Sequence, residues 1–157
     1  MIPETQTLNT KLDSGWLTIA LNRPESRNAL SAEMVEDLIA VLDAAAAEKE
    51  IRGITMCGNG GTFCAGGDLK GFKEAFQSDN PDTAAIEASS RRAGELFERI
   101  NTMPQVVVMM VEGAAMAGGL GMVCAAAFCG LVYLWGDDLC PVGTHPWGSG
   151  SDPNPRG

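Results

Sequence analysis

Val106-Val107-Val108-Met109-Met110-Val111-Glu112-Gly113-Ala114-Ala115-Met116-Ala117-Gly118-Gly119-Leu120-Gly121 begins as an unbroken apolar run, bends at glycine and restarts as a run of small residues. A short apolar run without polar alternation predicts a strand buried on both faces, the kind found in parallel sheets. Gly118-Gly119 then opens a small-residue helix that the pattern carries toward Phe128. A second unit of the same design precedes it. Ile51 to Cys57 reads as a strand, Gly58-Asn59-Gly60-Gly61 ends it, and Phe63-Cys64-Ala65-Gly66-Gly67-Asp68-Leu69-Lys70 leads into a further helix.

Upstream, Thr7 to Leu12 and Trp16 to Leu21 alternate apolar and polar residues around Asp13-Ser14-Gly15, which predicts a hairpin. Ser31 is a good helix cap, and Met34, Leu38, Val41, Leu42 and Ala45 recur at helical spacing up to about Glu48. Between the two strand-bend units, Asn80-Pro81-Asp82 supplies a helix start, with Ile86, Ala93, Leu96, Phe97 and Ile100 on one face before Met103-Pro104. The predicted order is ββ-α-β-α-β-α. Strands alternating with long helices imply an α/β fold whose ligand groups gather at the C-terminal ends of parallel strands.

A chain of 157 residues with 45% apolar content suits a single domain. The formal charge of −9 and the lack of a basic run argue against nucleic acid and anionic membrane surfaces as partners. Cys57, Cys64, Cys124, Cys129 and Cys140 form no CxxC pair and are odd in number, which disfavours a disulfide framework and a metal site. No export segment is evident at Met1-Ile2-Pro3-Glu4, so a reducing cytoplasm is the expected location. Residues 113–135 carry no charge and are long enough to span a bilayer. Their Gly and Ala content and the absence of flanking Lys or Arg favour a buried helix instead.

Two glycine-rich bends, each at a strand end and a helix start, have a chemical use. Consecutive glycines let a ligand approach backbone N–H groups, and a helix N-terminus adds a positive dipole end. One N–H from each bend aimed at the same oxygen makes an oxyanion hole.

Together with Leu21-Asn22-Arg23-Pro24-Glu25-Ser26-Arg27-Asn28-Ala29-Leu30, these bends resemble the signature segments of the enoyl-CoA hydratase/isomerase (crotonase) family, in their usual order and separation. The resemblance covers about residues 5 to 128. It implies a crotonase-like (ClpP/crotonase) spiral of ββα units and an acyl-CoA thioester as ligand, with coenzyme A part of the substrate rather than a separate cofactor. It implies that Gly67 and Gly118 donate their N–H groups to the thioester carbonyl. Arg27, Asn28, Ala29, Ala65, Gly66, Asp68, Leu69 and Lys70 would then line the coenzyme A and pantetheine path. Asp68 also reads as an ordinary helix cap, Lys70 as a solvated charge, Glu112 as a poor candidate base and His145 as a solvated side chain.

The resemblance has limits. Family hydratases place water with two glutamates; the first position holds Gly121 here, and the second would fall near Pro141. Members of the family are considerably longer, and their trimers or hexamers use helices from the second half. From Cys129 onward the composition changes: that segment holds the only Tyr, the only His and two of the three Trp. Residues 1–128 are therefore expected to form an incomplete N-terminal core, and 129–157 an irregular or disordered tail of the kind a shifted reading frame produces. The resemblance implies a crotonase-type enzyme with little hydratase turnover, the alternative being a non-catalytic subunit for coenzyme A binding or assembly.

Overall fold

Five strands in sequential order make one sheet in the computed structural model, which describes residues 1–68 and 83–131. β1 (Leu8–Asp13) and β2 (Trp16–Leu21) pair antiparallel across a two-residue turn. Ser14 and Gly15 both have positive φ, 51° and 80°, which matches the twist a tight hairpin needs. β3 (Gly53–Gly58), β4 (Val106–Val111) and β5 (Phe128–Leu131) then add in parallel, with Leu17 opposite Ile54, Ile54 opposite Val107 and Val108 opposite Phe128.

Helices make the parallel crossovers. α1 (Ala32–Ala47) begins at Ser31, whose hydroxyl accepts from the Met34 N–H at 3.2 Å. Its inner face, Met34, Val35, Leu38, Ile39, Val41, Leu42 and Ala45, is buried against Leu17, Ile19, Ile54 and Met56 of the sheet. Each of these side chains larger than alanine contributes roughly 1.5–3 kcal/mol through removal from water, so this face is the main driving force for the layer. α2 (Thr83–Thr102) buries only Leu96 and Ile100, and its first two turns stand largely exposed. The proline-containing start expected at residues 80–82 lies outside the described residues.

α1 and α2 are also joined by charge at matching heptad positions. Arg92 reaches Glu36 at 2.6 Å and also pairs with Glu95, while Arg99 reaches Asp43 at 2.6 Å. The hydrogen bond from Arg92 lowers the Glu36 pKa below its ordinary 4.5, with a smaller Coulombic contribution in the same direction and partial desolvation opposing both. A carboxyl depressed on folding contributes stability above its unfolded pKa and loses it as pH falls through the folded value. Glu36→Gln is therefore expected to lower the melting temperature at pH 7 by no more than about 3 °C, because the pair is exposed. The gap to the wild type should narrow as the pH is taken below 4.5, and a gap that widens in acid would contradict the ion pair.

The structure departs from the sequence reading after α3 (Gly118–Ala125) and at one cysteine. α3 ends before Phe128, and Phe128–Leu131 is a strand rather than the end of a helix. Nothing local marks that switch in a Gly/Ala-rich run; parallel pairing with β4 decides it. β5 ends at Leu131, and residues 132–157, with Pro141 and His145, lie outside the described residues. The stretch 113–135 contains the eight-residue α3, and among the described residues no helix is long and apolar enough to cross a membrane. Cys57 is disulfide-bonded, whereas Cys64, Cys124 and Cys129 are free. An odd cysteine count leaves one out of any pairing, yet does not forbid a single bridge.

Candidate functional site

The loops that follow β2, β3 and β4 leave the same edge of the sheet, because those strands are adjacent and parallel. They join into one backbone-bonded unit with residues 63–68 in the middle. On one side Phe63 N–H donates to Glu112 O at 2.8 Å, Cys64 N–H to Ala114 O at 3.0 Å, and Met116 N–H to Cys64 O at 2.9 Å. The segment then changes neighbour. Ala65 N–H donates to Arg27 O at 3.0 Å, Leu30 N–H to Gly66 O at 2.7 Å, and Asp68 N–H to Leu30 O at 3.1 Å. All three motif segments found in the sequence are brought together by these six bonds.

Gly67 lies between the two groups bonded to Leu30, so its own amide points to the opposite side, as in any parallel bridge. Gly118 is the first residue of α3, where an amide has no acceptor in its own helix. Among the described residues neither amide has a backbone or side-chain acceptor. The bends that carry them interlock. A β-carbon on Gly118 would stand 2.9 Å from Leu30 Cδ1, the residue bridged to Gly67. A β-carbon on Gly66, whose φ is +95°, would stand 3.0 Å from both Met116 O and Ala117 Cβ. Glycine is thus required at 66 by conformation and by close approach.

Backbone strain is concentrated here. Ala117, immediately before Gly118, has φ 45° and ψ −110°, a region alanine rarely adopts and that costs on the order of 1–3 kcal/mol. Arg27 and Asn28 both have φ 54°.

Each side chain expected at the ligand has a definite place. Arg27 is exposed, and its guanidinium has no ion pair among the described residues. Asn28 is different from its expectation: it is fully buried, and its side chain is consumed internally. Its Oδ1 accepts from Arg23 N–H at 2.8 Å, and its Nδ2 donates to Asn59 O at 2.9 Å and Thr62 O at 2.8 Å. It therefore ties the β2 loop to the β3 loop instead of facing a cleft. Ala29 is buried and lends its carbonyl to Arg23. Ala65 and Gly67 are partly exposed, while Gly66 is buried. Asp68 accepts from Arg23 at 3.3 Å, an ion pair the helix-cap reading did not contain. Leu69 and Lys70 lie outside the described residues.

Arg23 and Leu30 join the three loops and Phe97 packs on α3, contacts that the sequence does not mark residue by residue. Arg23 holds Asp68 and the Ala29 carbonyl; Leu30 touches both glycine bends; Phe97 packs on Gly121, where a β-carbon would meet its ring at 2.9 Å. Only the spacing of Phe97 with Leu96 and Ile100 hinted that it faces inward. Burial raises the Cys64 thiol pKa above its usual value, against a smaller opposing effect of the Gly66 N–H at 3.4 Å, so the group is a neutral thiol near pH 7. Among the described residues no cluster of His, Cys, Asp or Glu could hold a metal ion.

Comparison with known proteins decides the family: the enoyl-CoA hydratase/isomerase model matches residues 11–134. This chain belongs to the enoyl-CoA hydratase/isomerase family. A probable enoyl-CoA hydratase of Mycobacterium tuberculosis is 39% identical over 104 residues, 66% of this chain and 38% of that protein. A 1,4-dihydroxy-2-naphthoyl-CoA synthase of the same species is 33% identical over 133 residues, 75% of this chain and 42% of that protein. Among solved structures, AtuE of Pseudomonas aeruginosa is 39% identical with a TM-score of 0.74, covering 79% of this chain and 47% of that one. An enoyl-CoA hydratase/isomerase from Marinobacter aquaeolei is 32% identical with a TM-score of 0.72, covering 78% and 47%. The crotonase-like α/β fold is therefore present, and the chain spans less than half the length of these relatives.

Proposed function

We propose that this crotonase-family chain binds an acyl-CoA thioester where the three loops meet, with the amides of Gly67 and Gly118 donating to the thioester carbonyl oxygen. Removing a proton beside a thioester carbonyl, or adding a nucleophile to its conjugated alkene, places negative charge on that oxygen. Fixed N–H dipoles stabilise the resulting enolate without having to reorganise. The observation that carries the reading is that two unpartnered glycine amides, distant in sequence, belong to bends that both pack on one residue: Gly67 is bridged to Leu30, and a β-carbon on Gly118 would stand 2.9 Å from Leu30 Cδ1. The strain at Ala117 supports it, since a costly backbone angle directly before a donor is where function is commonly found.

The exposed Arg27 guanidinium is suited to the phosphates of coenzyme A, and Asp68 serves by holding Arg23 in the loop. Gly121, faced by an aromatic ring and not a carboxylate, leaves nothing at that position to position water. Weak hydration and isomerase or related enolate chemistry follow. The same observation favours a second reading, a non-catalytic subunit for coenzyme A binding or assembly.

Infrared spectroscopy with a carbonyl-labelled crotonyl-CoA tests the central claim without requiring turnover. On binding to the purified chain, the thioester C=O stretch should move to lower wavenumber as the oxygen accepts two hydrogen bonds. An unshifted band from a bound ligand would sink the assignment. Release of 3-hydroxybutyryl-CoA at a rate ordinary for enzymes, above about 1 per second, would show that a water-activating group has been overlooked.

A further inference from the structure

Packed end-on against α3 is the Phe97 ring of α2. A β-carbon at Gly121 would stand 2.9 Å from its Cζ, 3.0 Å from Cε2 and 3.4 Å from Cε1, so the tip of the ring occupies the space where a side chain at 121 would begin. One turn further along the same face, Asn101 Nδ2 donates to the Ala125 carbonyl at 3.3 Å, which holds α2 in register with α3. Both Phe97 and Gly121 remain half-buried, so the contact is not sealed inside the core.

Gly121 follows Gly118 by one helical turn, roughly 4.5 Å along the axis, and three carbon–carbon bonds of an extended acyl chain cover roughly 4 Å. An acyl group whose carbonyl is held at Gly118 and whose chain runs along α3 toward Gly121 would meet the ring tip within a few carbons of the thioester. We propose that Phe97 is the specificity-determining side chain of this site, an aromatic stop that confines it to short, apolar acyl groups of the crotonyl or butyryl class. This inference rests on the acyl-CoA reading above. The ring edge offers dispersion contact to an alkyl or alkenyl group and no hydrogen bond to a polar one. An extended chain cannot pass while the ring stays in place. Gly121 is part of the same device, since any side chain there would push the ring aside.

Isothermal titration of the full chain with free coenzyme A, butyryl-CoA and decanoyl-CoA tests it, comparing wild type with Phe97→Ala and the milder Phe97→Leu. Wild type should bind butyryl-CoA more tightly than decanoyl-CoA. Phe97→Ala should raise the decanoyl-to-butyryl affinity ratio by at least about tenfold, with Phe97→Leu between, because the freed volume admits several methylenes. Affinity for free coenzyme A should stay within about twofold, since the nucleotide end is not touched. A purely structural phenylalanine would lower the melting temperature of both variants and leave the ratio where it was, and that result overturns the inference. So does a wild type that already prefers decanoyl-CoA. If the wild type binds no thioester at all, the acyl-CoA reading fails first and this one with it; if it binds and only the ratio is unmoved, the acyl-CoA reading survives alone.

Discussion

Gly118→Pro is expected to remove most of the carbonyl shift of a bound thioester and to slow any enolate-forming turnover by about 10²–10³-fold, the effect of deleting one oxyanion donor, ~3–4 kcal/mol. Proline is the informative replacement because it deletes the N–H while its ring suits the first position of a helix, which Gly118 occupies in α3. Gly118→Ala is the matched control. It keeps the N–H and adds a β-carbon 2.9 Å from Leu30 Cδ1, the free end of a side chain that can turn away. Infrared spectra of the two variants with the labelled ligand should therefore differ: the alanine variant close to wild type, the proline variant close to the ligand in water. Equal spectra would mean that the Gly118 amide does not touch the carbonyl. A melting curve for each separates loss of the donor from disturbance of Ala117, whose ψ of −110° is unusual before proline.

The second large effect lies in stability. Asn28→Ala deletes three hydrogen bonds at a fully buried position and leaves the Asn59 and Thr62 carbonyls and the Arg23 N–H without their partner. Unsatisfied buried polar groups cost about 1–3 kcal/mol each, so a loss of about 3 kcal/mol or more is expected, even with partial relaxation. For a chain of this size that corresponds to a fall of roughly 6–12 °C in melting temperature, readable by circular dichroism. Alanine also tolerates the φ of 54° less well than asparagine, which adds to the cost. A fall under about 2 °C would show that the loops are joined by other means. Asn28→Asp should be at least as damaging, because a carboxylate oxygen would face two carbonyl oxygens where an amide now donates.

These two residues mark the boundary between what is legible in the chain and what is not. Gly118 can be found from order alone, since an apolar run, a glycine bend and a small-residue helix specify a strand end and a helix start. Asn28 can be found as part of a motif, yet its job cannot, because its partners Asn59 and Thr62 are remote in sequence and their carbonyls carry no side-chain signature. Asp68 is a similar case. A helix-cap reading is the natural local one, and only the return of the β2 loop places Arg23 within 3.3 Å. β5 was invisible for the reason that parallel pairing is non-local: Phe128 to Leu131 has no boundary residue before it, and β4 recruits it.

What the order of residues determined by itself is therefore the set of local instructions: hairpin, capped amphipathic helix, buried strands, and glycines where the backbone must bend or approach closely. Those depend on φ, side-chain period and turn chemistry, which act within a few residues. What the tertiary structure alone decided is that both glycine bends pack beside Leu30, which polar side chains are spent on joining loops, and that a phenylalanine from α2 fills the space beside Gly121. These outcomes depend on distances between segments far apart in the chain, and only packing of the sheet and its helices sets such distances.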